Sequence, residues 1–118
     1  GQGALRLIVQ AASQASPAAL EAPPVWITSA PIAFQPGQLV RIHGWVQIPR
    51  PITGSVDGLM VIDSAGGYDL GLRLGQTQGW QEFSMYRAVT TREPLRVSLV
   101  LTGFGEALID GLSIQPVE

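Results

Sequence analysis

The chain has 118 residues, 46% of them hydrophobic and only 14% charged, with a formal net charge of −2 at pH 7. That length suits one domain around one core, and the composition excludes disorder. The seven basic residues are arginines scattered singly and cysteine is absent, which leaves no footprint for nucleic acid, no polybasic membrane patch and no disulfide or thiolate metal site.

The first predicted element is "ALRLIVQ" (4–10), which alternates with Leu5, Leu7 and Val9 on one side, as a strand with one buried face does. Residues 11–24 are Ala, Ser and Pro without period and read as a loop. "VWITSA" (25–30) is β-rich, and "PIAF" continues it after a proline that suits an edge or bend. "QPGQ" (35–38) predicts a type II turn, with Pro36 presetting φ and Gly37 taking φ > 0. A strand follows over roughly 38–48, then a stiff two-proline loop at 49–55.

"GLMVID" (58–63) is apolar on both faces, as a central strand is. With the turn "SAGG" (64–67) and "YDLGLRL" (68–74, Leu70, Leu72 and Leu74 inward) it forms the clearest hairpin in the chain. "WQEFSMYRAV" (80–89) is a strand in which Trp80 and Phe83 fit strict alternation poorly. A bulge between them is expected, with both rings filling the core at a sheet edge. "EPLRVSLVLTG" (93–103) places Leu95, Val97, Leu99 and Leu101 inward, and "GEALIDGLSIQPV" (105–117) closes the domain. About eight strands at spacings of ~10 residues, with no amphipathic helix, predict an all-β antiparallel sandwich or jelly roll.

The third strand holds the sharpest functional candidate. In "RIHGWVQI" (41–48), Ile42, Gly44, Val46 and Ile48 face one way. Arg41, His43, Trp45 and Gln47 face the other, in a row with steps of ~7 Å. An aromatic platform flanked by planar donors and an amide is what a sugar needs, because its rings have apolar C–H faces and outward hydroxyls. If "DLGLRL" lies in the same sheet, Asp69 and Arg73 share this face, with Gly71 leaving room between them. Arg96 and Ser98 add donors from the later strand. The competing reading has Trp45 roofed by residues 11–24 and His43 serving as an internal hydrogen bonder. Trp26 is an exposed-face aromatic, on the convex side or at a neighbouring domain, while Tyr68 and Tyr86 sit near turns.

Two stretches carry a family likeness. "PGQLVRIHGWVQ" (36–47) resembles the Pro-Gly-x-x-Tyr-x-x-Ser-x-Trp-Val stretch of jelly-roll carbohydrate-binding modules of the galactose-binding-like superfamily, the modules attached to xylanases and cellulases. "GWQEFS" (79–84) and "LVLTGFGEALIDGLSI" (99–114) are similar to the same modules' Gly-Trp-x-x-Phe and terminal Ile-Asp-Asp-Val segments. The order and spacing agree over roughly residues 36–114. Val40, His43 and Gly111 depart from the usual Tyr, Ser and second Asp. The resemblance implies a non-catalytic accessory module that binds a polysaccharide or oligosaccharide on a concave sheet face. It also implies a secreted or cell-surface location beside other domains of the same chain. Such modules hold a structural calcium, for which only Asp110 remains here.

Asp110 has inward parity with Leu112 and Ile114, so its carboxylate needs a partner: an arginine, a backbone N–H or, less simply, a metal. Catalysis has little support. Gly-x-Ser-x-Gly, His-x-x-x-His and a phosphate loop are absent. Asp57, Asp63, Asp69 and Glu82 show no spacing that singles out a glycosidase pair, so no enzyme is expected. No apolar run reaches the ~20 residues of a membrane span. The chain opens on Gly1, from which a single domain (1–118) cut from a longer protein is expected. The alternative to sugar binding is a structural or interaction domain of a large exported protein.

Overall fold

The computed structural model describes residues 4–10 and 25–117. The segment expected to be a loop, 11–24, lies outside them. Eight strands run through the described residues: β1 (Leu5–Val9), β2 (Val25–Thr28), β3 (Leu39–Gln47), β4 (Leu59–Asp63), β5 (Leu72–Leu74), β6 (Gln81–Ala88), β7 (Val97–Leu101) and β8 (Gly105–Val117). They form two four-stranded antiparallel sheets, ordered β1-β8-β3-β6 and β2-β7-β4-β5. The protein is a β-sandwich, and this order is that of an eight-stranded jelly roll.

Alternation along each strand builds the core between the sheets. Leu7, Ile42, Val46, Phe83, Met85, Ala107 and Ile109 face inward from the first sheet. Leu59, Val61, Val97, Leu99 and Leu101 meet them from the second. Each fully buried Leu, Ile, Val, Met or Phe side chain contributes about 1.5–3 kcal/mol by leaving water. Phe83 lies directly opposite Gly44, and a Cβ at Gly44 would sit 2.9 Å from its Cζ. The missing side chain in β3 is the space the phenyl ring uses. The turn before β3 forms as expected, with Gly37 at φ 93° and Gln38 N–H donating to Gln35 C=O at 3.1 Å.

Four expectations need correction. The hairpin's second arm is a strand only over Leu72–Leu74; residues 64–70 form turns, and Leu70 is 60% exposed rather than inward. The cause is Asp63, whose Oδ2 accepts N–H bonds from Ala65 and Gly66 and coils the chain before it can pair. "PIAF" does not extend β2; only Ile32 bridges, to Leu95. No bulge interrupts β6, because its ladder with β3 is continuous from Leu39↔Ala88 to Val46↔Gln81. Trp80 and Phe83 simply have opposite parity, so Phe83 is buried while Trp80 is 43% exposed and outside the core.

At one end of the sandwich an ion pair crosses between the sheets. Arg87 of β6 points inward and its Nε donates to Asp63 Oδ1 at 2.8 Å, with the carboxylate fully buried. Arg87 Nη2 also donates to Leu70 C=O at 2.6 Å, which ties down the turn after β4. Removing one partner of such a pair leaves the other charge unpaired and costs roughly 3–5 kcal/mol. Asp63→Ala is therefore expected to lower unfolding stability in urea by about 3 kcal/mol or more, and Asp63→Ala combined with Arg87→Met to recover part of that loss. Equal losses in the single and double variants would show that the pair is not what joins the sheets here.

Candidate functional site

The two sheets differ in what their outer faces show. On the β2-β7-β4-β5 sheet, Met60, Ile62 and Val100 form a buried cluster on the side away from the core. Backbone at Gly71 packs against Ile62 so closely that a Cβ there would lie 2.6 Å from Ile62 Cγ2. The outer face of the β1-β8-β3-β6 sheet is more open. Arg41, His43 and Gln47 on it are half-buried, and Trp45 is 40% exposed. The side chains of β3 that avoid the core thus form the row that the alternation predicts.

Register supplies the neighbours of that row. Arg41 pairs with Tyr86 and Gln115, His43 with Ser84 and Ser113, and Trp45 with Glu82 and Asp110. Arg41 donates from Nε and Nη2 to Ser84 Oγ at 3.2 and 3.0 Å. His43 Nε2 and Glu82 Oε2 share a hydrogen bond of 2.5 Å. The His43 ring stands edge-on to the Trp45 indole, centroids 6.3 Å apart at 86°. These contacts hold the side chains in place, so the indole is a braced platform on a strand rather than a loose loop residue.

Asp110 corrects another expectation. Its parity is outward, beside Trp45, and not inward with Ile114. Between the pairs His43↔Ser113 and Trp45↔Asp110 the ladder shifts register. Strand β8 spends three steps where β3 spends two, and Gly111 sits there with φ 63°. This is a β-bulge with glycine in the left-handed region. It reverses parity, so Ile109 and Ile114 both face the core while Asp110 and Ser113 both face out. Asp110 Oδ1 accepts the Gly111 N–H at 2.8 Å. Among the described residues no group of three or more His, Cys, Asp or Glu is placed to hold a metal.

The predicted site set divides. Arg41, His43, Trp45 and Gln47 come together, whereas Arg73, Asp69 and Arg96 belong with the other sheet. Arg73 lies in β5 opposite Met60 and donates to Asp57 Oδ1 at 3.2 Å. Asp69 is exposed in the turn after β4. Arg96 precedes β7; its C=O accepts from Ser64 N–H and its N–H donates to Ser64 Oγ. Ser98 is buried and bonds Thr28 Oγ1 at 2.9 Å. Gly71 leaves no free room, because Ile62 takes it. In their place the structure brings Glu82, Ser84, Tyr86 and Asp110 to the Trp45 row. The outward alternation of Glu82, Ser84 and Tyr86 in β6 is visible in "EFSMY"; that β6 lies beside β3 is not.

Neither a family model nor a curated protein matches the sequence. Among solved structures the chain is similar to the C-terminal domain of EclA, described as a sugar-binding protein. The TM-score is 0.58 at 19% identity, over 95% of this chain and 76% of that one. At this identity the likeness concerns the fold, the β-sandwich.

The bulge can be tested directly. A Cβ at Gly111 would meet only Trp45 Cδ1, at an ordinary 3.5 Å, so the cost of a side chain there is conformational. Gly111→Ala is expected to destabilise by about 1–2 kcal/mol in urea unfolding, and Gly111→Asn by less. Unchanged stability for both would mean the positive φ is not required.

Proposed function

We propose that this protein is a non-catalytic carbohydrate-binding module of the jelly-roll, galactose-binding-like type, and that it binds glycan on the outer face of the β1-β8-β3-β6 sheet. The observation that carries this is the exposed, braced indole of Trp45, centred among hydrogen-bonding groups. A pyranose stacks its C–H face on the indole while its hydroxyls reach His43, Glu82, Asp110, Arg41 and Gln47. Glu82 and Asp110 accept hydrogen bonds from hydroxyls, and Arg41 donates. The fold shared with a protein described as sugar-binding supports the same reading. In this reading the module is exported, works beside other domains of a longer chain and needs no cofactor.

Two carboxylates on one face raise the question of hydrolysis. Glu82 and Asp110 flank Trp45 from opposite sides, so the indole occupies the place where a glycosidic oxygen would have to sit. Binding by stacking and polar contacts is what the arrangement performs.

Affinity electrophoresis against a panel of soluble polysaccharides tests the reading. The wild-type protein is expected to be retarded by at least one. Trp45→Ala, with an unchanged circular dichroism spectrum, is expected to weaken binding about tenfold or more, as truncating a central aromatic does. A folded wild-type protein retarded by none would favour the alternative, a structural or interaction domain without sugar affinity.

A further inference from the structure

The Trp45 row does not stop at the edge of its sheet. Trp80 directly precedes β6 and has the outward parity of Glu82. It is 43% exposed, close to the 40% of Trp45. Continuing the β3–β6 register past Val46↔Gln81 sets Trp80 beside Gln47 and diagonal to Trp45. Diagonal neighbours of this kind lie roughly 7–8 Å apart, within reach of large aromatic side chains. Glu82 neighbours both indoles: it is the cross-strand partner of Trp45, lies two residues along the chain from Trp80, bonds His43 and lines a recess with Trp80.

That recess is lined by Gln76, Thr77, Gln78, Trp80, Gln81 and Glu82, with a volume of about 680 Å³. Its wall is anchored. Thr77 is buried, its N–H donates to Ile48 C=O at 3.0 Å, and its hydroxyl accepts from Ile48 N–H and donates to Gly79 C=O. Gln76 Nε2 reaches Pro49 C=O at 3.5 Å. The loop before β6 is thus held to the end of β3, and a ligand meets it preorganised. Gln78 and Gln81 are exposed and make no side-chain hydrogen bond among the described residues. Amides that both donate and accept suit vicinal hydroxyls. No basic residue lines the recess and Glu82 is its one charged member, so an anionic ligand is disfavoured.

We propose that the site extends from Trp45 across β6 into the Trp80 recess, and that its ligand is an uncharged glycan chain several sugars long. A single sugar fills only one platform. This rests on the sugar-binding reading above and adds the length and charge of the ligand.

Calorimetric titration with neutral gluco-, manno-, xylo- and galacto-oligosaccharides of one to six units tests it. Wild type, Trp45→Ala, Trp80→Ala and Trp26→Ala are compared, the last on the opposite sheet. For the series the protein binds, wild-type affinity is expected to rise with chain length until both indoles are covered. Trp80→Ala removes that rise, with about a tenfold loss for the hexasaccharide and less than about twofold for the disaccharide. Trp45→Ala weakens binding at every length, and Trp26→Ala changes nothing. Wild-type affinity at every length in Trp80→Ala, alongside loss in Trp45→Ala, would overturn the extension and leave sugar binding standing. Equal loss at all lengths in Trp80→Ala would overturn it too. A wild type that binds no series would overturn both proposals.

Discussion

Between Trp45 and His43 strand β3 advances two residues, while β8 advances three, from Asp110 to Ser113, and the surplus is taken up at Gly111. Much of the molecule depends on this one mismatch. A strand of thirteen residues with uninterrupted alternation would put Ile109 in the core and send Ile114 to solvent, or the reverse. With the bulge, both isoleucines reach the interior, and the polar residues on either side of them share one outer face. The same step also places Asp110 across from Trp45. Core packing and site composition therefore have a common cause in backbone geometry, and a left-handed φ that glycine adopts without strain makes it cheap.

The pairing of the strands has a simple form. β1 pairs with β8, β2 with β7, β3 with β6 and β4 with β5. The chain is one long antiparallel hairpin, its tip at the turn after β4, rolled until β3 meets β8 and β4 meets β7. Every connection except β4–β5 consequently passes from one sheet to the other. Such a roll has few local contacts to hold it, and closing its long loops is entropically costly. The Arg87–Asp63 pair ties the two sheets together at one end. It joins the hairpin tip in one sheet to an edge strand of the other, with Leu70 C=O as a third point of attachment.

This explains what could be read from the sequence. The alternation of β3, the two-sided apolar run of β4 and the inward leucines of β7 are local signals, and each strand formed where its pattern lies. Arg41, His43, Trp45 and Gln47 share a face for the same local reason. Sheet membership is not local. Arg73 sits one strand after β4 in sequence and follows it into its sheet, which takes it away from Trp45. Glu82 lies 37 positions along the chain from Trp45, yet the rolled hairpin makes the two residues partners. Counting by twos carries parity through Gly111, where the backbone does not, and so puts Asp110 on the wrong face. A large aromatic near a sheet edge usually fills the core, but in place of Trp80 it is Phe83 that occupies the space Gly44 leaves.

A flat face of this kind has definite energetic limits. Each hydroxyl that bonds the protein gives up a bond to water, so the net gain per contact is only about 0.5–1.5 kcal/mol. Affinity must then come from the stacked apolar area and from groups already held in place. In the proposed site Trp45 answers both needs: its indole rises from a central strand and is braced by a histidine that is itself bonded to Glu82. They are answered again beside Trp80, where a loop pinned through Thr77 costs little to order. In the proposed extended site, two such platforms let a chain add contacts unit by unit, without the second binding event paying again for lost freedom of motion. On an exposed sheet that is the available route to useful affinity.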